Sequence, residues 1–255
     1  MNRQTLYHNA SGLSLALLLA AFLTACGTVN NIPEPTADAP DGAAAWSEIL
    51  TSRVNAKGQI DFATMRKDPA VIGAAAYHFA TGDLDALASA DEQMAFYLNG
   101  YNALAMYHAV TSKHLPKDTV RFFATSKLKF AGEEMSLHHL ENKRIRPLDE
   151  PRIHFALNCM VRDCPRLLQV PFRAEVLNAQ LDAVSREFLN DPRRVAYDAA
   201  SKTVQLSPIL KWYREDFESE DLTLLGYINT FRTEPIPEDT DIDWFEYDWT
   251  LNQSE

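Results

Sequence analysis

Asp91-Glu92-Gln93-Met94-Ala95-Phe96-Tyr97-Leu98-Asn99-Gly100-Tyr101-Asn102-Ala103-Leu104 opens the longest helical stretch of the sequence, Glu92 to about Lys113. Asp91 is the N-cap candidate, because a short side-chain oxygen there accepts from the first unpaired amides. On an ideal helix with Glu92 at zero, Asn99 falls at about −20° and Asn102 at about −80°. Ala95, Ala103 and Met106 share that face, so both amides point into a mainly apolar environment. A buried amide without partners costs roughly 1–3 kcal/mol. Two readings stay open. The asparagines cap loops packed on this helix, or they line a pocket and bond a substrate or orient a histidine.

Shorter elements surround that helix. Ala45, Ile49 and Val54 recur around Trp46 and predict a helix over Ala43 to Val54, followed by a turn and short strand over Gly58 to Phe62. Pro69 suits the first helical position of a segment running to about Ala80. Lys127 to Phe130 and Met135 to Leu137 flank Ala131-Gly132-Glu133-Glu134 as a hairpin, and Leu137 to Lys143 begins a short helix that stops before Pro147. Arg152-Ile153-His154-Phe155-Ala156-Leu157 alternates and reads as a strand. Val176, Leu177, Leu181, Val184 and Phe188 form one face of a helix over Ala174 to Leu189. A second hairpin is expected from Arg194 to Tyr197 and Lys202 to Leu206, then helices near Pro208 to Phe217 and Asp221 to Phe231, then an aromatic tail. No repeat or second linker interrupts this, so residues 43–255 read as one helix-rich α+β domain with a few short strands and hairpins. A doubly wound sheet does not fit.

The 255 residues are 46% hydrophobic and 23% charged, which is ordinary for a globular protein. A net charge of -11 and a pI near 5.1 leave no broad basic surface, so no nucleic-acid partner is expected. The N-terminus adds an address. Leu13 to Leu23 is an apolar run broken only by Ser14, too short to span a bilayer and suited to a secretory signal. It ends in Leu23-Thr24-Ala25-Cys26-Gly27, which resembles the lipobox of bacterial lipoproteins: an apolar residue, two small ones, then the cysteine whose sulfur takes a diacylglyceryl group. Residues 1–25 are thus read as the signal and 26–42, with Pro33, Pro35 and Pro40, as a lipidated tether. Gly27 implies, by the same resemblance, an outer membrane, with the body in the periplasm. Acyl chains on Cys26 anchor at ~0.8 kcal/mol per buried methylene. Anionic headgroups repel the acidic body, so the lipid is the expected sole membrane contact, with an envelope protein or glycan as a further partner.

Several segments occur together in an order that resembles one family. They are Phe96 to Leu104, Arg152 to Cys159, Cys164-Pro165, Lys211-Trp212-Tyr213 with Asp216-Phe217, and Tyr247-Asp248-Trp249 with Leu251-Asn252. The family is that of domain of unknown function 547, met in bacterial secreted proteins and at the C-termini of plant proteins. The resemblance spans roughly Trp46 to Asn252. Two departures stand out: Met160-Val161-Arg162-Asp163 replaces a small Ala- and Ser-rich stretch between the cysteines, and Asn142 follows Glu141 where bacterial members often have histidine. The resemblance implies an architecture and no established activity.

His154 and Cys159 carry the sharpest chemistry. A cysteine just past a strand end acts as a nucleophile if its pKa is lowered, with His154 as base and Asn99, Asn102 or Glu141 orienting the ring. Five extended residues cover ~16 Å, so the two meet only if the chain folds back after Leu157. The competing fate of Cys159 is a disulfide with Cys164, the other thiol left once Cys26 is lipidated, in an oxidising compartment. A zinc site from His154, Cys159 and Cys164 fits no recognised spacing, and His138-His139 are poor co-ligands, so no metal is expected. No phosphate loop and no G-x-S-x-G occurs, and no cofactor is implied. Tyr213 and Asp216 face together at helical spacing, with Asp216 placed to bond a cation or a helix N-terminus. Trp244, Phe245, Tyr247 and Trp249 suit a tail locked onto the body, with glycan stacking as a lesser option. The leading expectation is a binding or scaffolding module with a pocket around Asn99, Asn102, His154 and Cys159, flanked by Glu141, Tyr213 and Asp216. The alternative is a cysteine-dependent amidase, peptidase or acyltransferase.

Overall fold

Four helices build the first half of the domain: α1 (Gly42–Ser52), α2 (Phe62–Lys67), α3 (Ala70–Thr81) and α4 (Ala90–Thr111). The computed structural model describes residues 29–254, so the signal segment and Cys26 lie outside the described residues. α1 packs on α3, and α3 and α2 on α4. α4 has no wet face over most of its length, with Leu98, Ala103, Ala105, Met106 and Ala109 wholly or almost wholly buried. A helix buried all round is a central element. Gly100 is needed there: a Cβ would come within 2.5 Å of the Phe130 ring.

The α4 cap differs from the expected Asp91. Ser89 Oγ accepts from the Glu92 amide at 3.2 Å and Glu92 Oε2 accepts from the Ser89 amide at 3.1 Å. This reciprocal box satisfies two first-turn donors, which leaves Asp91 inside the first turn.

Strands β1 (Leu128–Phe130) and β2 (Glu133–Met135) form the first expected hairpin around Ala131-Gly132, both at positive φ. Helix α5 (Leu137–Leu140) continues as a π-helical turn over Glu141–Ile145 and a 3-10 turn over Arg146–Leu148. Arg152 to Leu157 is the principal correction: the strand expected there is a 3-10 helix, Pro151–Phe155. Pro151 occupies the first turn, Glu150 Oε1 accepts from the Arg152 amide, and the Arg152 guanidinium bonds Glu150 and Asp182. Those contacts wind the segment. Ile153, His154 and Phe155 are all buried, so the sequence alternation did not mark two faces.

Helix α6 (Leu177–Asn190) buries Leu181, Val184 and Phe188 as expected, while Val176 sits in a preceding 3-10 turn and is exposed. Strands β3 (Val195–Asp198) and β4 (Thr203–Leu206) make the second hairpin. The expected single helix after Pro208 is broken at Tyr213 into α7 (Pro208–Trp212) and α8 (Arg214–Phe217), and α9 (Leu224–Asn229) follows. An unforeseen strand, β5 (Asp241–Trp244), pairs in parallel with β4, Val204 opposite Ile242. The aromatic tail does lock onto the body: Leu251 bridges Val161, and Gln253 bridges Ile60.

The described part of the expected tether also rests on the body. The Asn30 amide donates to the Lys127 carbonyl at 2.8 Å, Ile32 is buried, and Asp41 caps α1. Proline removes donors from this stretch, yet Ile32 still finds the core and Val29 still pairs with Lys127. His108 of α4 lies beneath it, fully buried, with Asn30 Nδ2 3.5 Å from Nδ1 and no partner on Nε2. Burial, then the neighbouring His114, lowers the His108 pKa to about 4. The overall class is the expected helix-rich α+β domain.

Candidate functional site

Three polar side chains on and beside α4 close onto backbone. Asn99 Oδ1 accepts from the Trp46 indole at 3.1 Å and the Phe172 amide at 3.0 Å, while its Nδ2 donates to the Phe172 carbonyl at 2.8 Å. Asn102 Nδ2 donates to the Ala156 carbonyl at 3.0 Å, and its Oδ1 accepts from the Asn158 amide at 2.7 Å. Asn158 continues the series, donating to the Pro165 carbonyl and accepting from the Met160 amide. That last bond braces Met160, held at φ 66, a conformation that side chains rarely adopt. Asn99 and Asn102 therefore staple loops to α4 and do not line a cavity. Of the two readings of the asparagines, the loop-capping one describes their contacts.

The loop so held contains the Cys159–Cys164 disulfide, with Cα atoms 5.9 Å apart. Cys159 therefore has no thiol to act as a nucleophile, and neither sulfur is free for a metal. The 3-10 turn shortens the path from His154, yet the imidazole is engaged elsewhere. Its Nε2 lies 2.6 Å from Asp216 Oδ2.

A cavity of about 290 Å³ gathers the remaining candidates. Glu141, His154, Tyr213 and Cys159 line it, together with Tyr101, His138, Phe123, Trp212, Tyr247 and Trp249. Glu141 is placed by the π-helical turn after α5 and is only 9% exposed. Extra residues in a helical turn are common at functional positions. The Tyr101 hydroxyl donates to Glu141 Oε2 at 3.3 Å. Among the described residues, no cationic side chain pairs with Glu141.

His154 is fixed from three sides. Tyr213 stacks on its ring at 3.9 Å, Phe217 meets its edge at 5.4 Å, and Asp216 bonds Nε2. Arg146 grips Asp216 with two bonds of 2.7 Å and also reaches Glu215 and the Asn142 side chain. Burial opposes ionisation of Asp216 as the largest single influence, but the bonds from His154 and Arg146 together outweigh it and hold the carboxyl well below its usual range. An ionised carboxylate only accepts, so His154 Nε2 carries the proton. No protein group among the described residues bonds Nδ1.

The phenols keep their protons and so can donate. Burial first, and the Glu141 charge second, push Tyr101 and Tyr213 far above the ordinary tyrosine range. Burial likewise raises Tyr247, whose hydroxyl lies 3.3 Å from Cys159 Sγ. Trp212, Tyr247 and Trp249 form one aromatic wall, with ring centroids 4.8 to 5.7 Å apart. Trp212 is 46% exposed and marks the mouth with Val120. The arrangement can seat a compact group against aromatic faces and hold charge against Glu141.

Sequence reasoning missed Arg146, Tyr101 and Phe123. Arg146 bonds Asp216 across 70 residues, and nothing local marks it. Tyr101 carried a signal: it falls between the two asparagines of a motif already singled out. Neither the curated proteins nor the solved structures contain a match to this chain. Residues 84–189, which include α4, Glu141, His154 and both disulfide cysteines, match a family model. That segment is similar to the family described as "Protein of unknown function, DUF547".

Proposed function

We propose that the protein is a binding module of the bacterial envelope, anchored by lipid on Cys26 and recognising its ligand in the cavity between Glu141, His154 and the aromatic wall. The carrying observation is the contrast inside one site. Asp216, Arg146 and the asparagines spend their bonds within the protein, whereas Glu141 meets one phenol and an open cavity. The disulfide supports binding over cysteine chemistry, because it removes the thiol that a nucleophile requires. The Leu23 to Cys26 segment supports lipidation, and Gly27 supports the outer membrane with the body facing the periplasm. The acidic charge argues for lipid as the membrane contact and against nucleic acid.

Three measurements test the reading. Palmitate labelling should mark the wild-type protein and not Cys26→Ala. Benzyl alcohol, a neutral aromatic probe, should raise the melting temperature of the purified protein, with the rise lost in Trp212→Ala. No shift at millimolar probe removes the cavity from consideration as a binding site. Peptide mapping without reductant should recover Cys159 linked to Cys164, and an alkylatable Cys159 would restore the cysteine mechanism.

A further inference from the structure

The Glu141 carboxylate is nine-tenths buried, faces an aromatic cavity, and has no cation beside it. A buried charge of this kind is costly unless something pairs with it. Phenol donors offset part of that cost, and Tyr101 supplies one. The guanidinium nearest the site is already committed. Arg146 lies 5.3 Å from the Tyr213 ring and bonds Asp216 and Glu215, so this group carries one positive and two negative charges before Glu141 is counted. His138 Nδ1 is occupied by Asn142, and His154 Nε2 by Asp216. Glu141 is thus left without a salt-bridge partner among the described residues.

The walls add a second attraction. Trp212, Tyr213, Tyr247 and Trp249 surround the space, and aromatic faces attract cations through their negative quadrupole, worth ~0.5–2 kcal/mol per well-placed ring. A carboxylate at the bottom of an aromatic enclosure is the arrangement that recognises an ammonium group. A bare metal ion is a poorer fit, since one carboxylate and indole faces supply too few oxygen ligands. A neutral sugar is a poorer fit as well, because it leaves Glu141 buried without a countercharge.

We infer that the pocket binds an organic ammonium group, seated against Glu141 and enclosed by Trp212, Tyr213, Tyr247 and Trp249. The inference rests on the binding-module reading and specifies its ligand class. The binding step is non-covalent, and Glu141 acts as the counterion.

The test uses the lipidated protein in detergent and three probes: choline, ethanolamine, and 3,3-dimethylbutan-1-ol, which matches choline in shape and lacks its charge. Quenching of tryptophan emission and a melting-temperature shift report occupancy. Choline or ethanolamine should bind at least about tenfold more tightly than the neutral alcohol. Glu141→Gln should erase that preference. Trp212→Ala, at an exposed position that folding tolerates, should weaken choline several-fold and serves if Glu141→Gln fails to fold. Equal binding of choline and its neutral isostere overturns the ammonium assignment and leaves a binding module in place. Full cation preference in Glu141→Gln also overturns it. Binding of none of the three, with no response to benzyl alcohol, overturns both readings.

Discussion

Asn102 and Glu141 are buried to a similar depth, 1% and 9% exposed, on neighbouring parts of the structure, and their bonds end in opposite ways. Asn102 spends its donor and its acceptor on the backbone of one loop, at Ala156 and Asn158. Glu141 meets a phenol and an open cavity. A polar group whose valences all close within the chain rigidifies a core. One that keeps a valence toward a cavity has a standing deficit that a ligand can make good. The same burial closes a loop onto a helix at the first position and leaves a carboxylate facing a cavity at the second.

The contrast breaks most visibly at the staple. Asn102→Ala strands a buried carbonyl and a buried amide, and should cost about 2–4 kcal/mol in urea unfolding. A cost near zero would mean that water replaces Asn102 and that the staple is dispensable.

His108 supplies a third case, a buried ring nitrogen with neither partner nor cavity. Its pKa is lowered to about 4, so between pH 6.5 and 4 the unfolded chain takes a proton that the folded one refuses. Stability should therefore fall as pH drops through that window, by up to about 3 kcal/mol. His108→Phe should flatten the slope, and an unchanged slope would assign it to other groups. Next in size is the disulfide. Replacing both Cys159 and Cys164 with serine should cost about 2 kcal/mol by the chain-entropy account of a short loop. It should also loosen Tyr247, whose hydroxyl rests on Cys159 Sγ.

The smallest expected effect is the most telling. Glu141→Gln keeps shape and removes a buried charge, so stability should change by less than about 0.5 kcal/mol or rise slightly. If it destabilises as much as Asn102→Ala, Glu141 is a structural group and the distinction collapses.

Much of the architecture was legible from local patterns. The proline-marked starts near Pro69 and Pro208 and the two hairpins follow from short-range chemistry, although the second arm of the first hairpin is Glu133–Met135, two residues before the expected Met135 to Leu137. Failures came where distant contacts overrule local preference. Arg152 to Leu157 alternates like a strand, but Glu150 and Asp182 hold Arg152 in a 3-10 turn. β5 was invisible because its partner, β4, precedes it by a long interval and lies parallel. Of the residues in and beside the cavity, His154, Cys159, Tyr213 and Asp216 lie in the motif segments, and Glu141 stands beside the Asn142 departure. Asn99 and Asn102 were correctly seen as buried amides, but spacing on one helix cannot say whether a loop or a cavity faces them. Arg146 required the folded chain.

The tail has a consequence for the order of assembly. Asn252 donates to the Gly58 carbonyl across 194 residues, and Tyr247 and Trp249 complete the cavity from the same short stretch. Closing so long a loop is slow in entropic terms, and its reward arrives only when that stretch docks. A chain emerging N-terminus first can form α1 to α4 early, yet it owns no pocket until residues 247–253 are in place. The cavity is thus completed last: a chain nicked before Tyr247 has most of its core and only Trp212 of the three-ring aromatic wall.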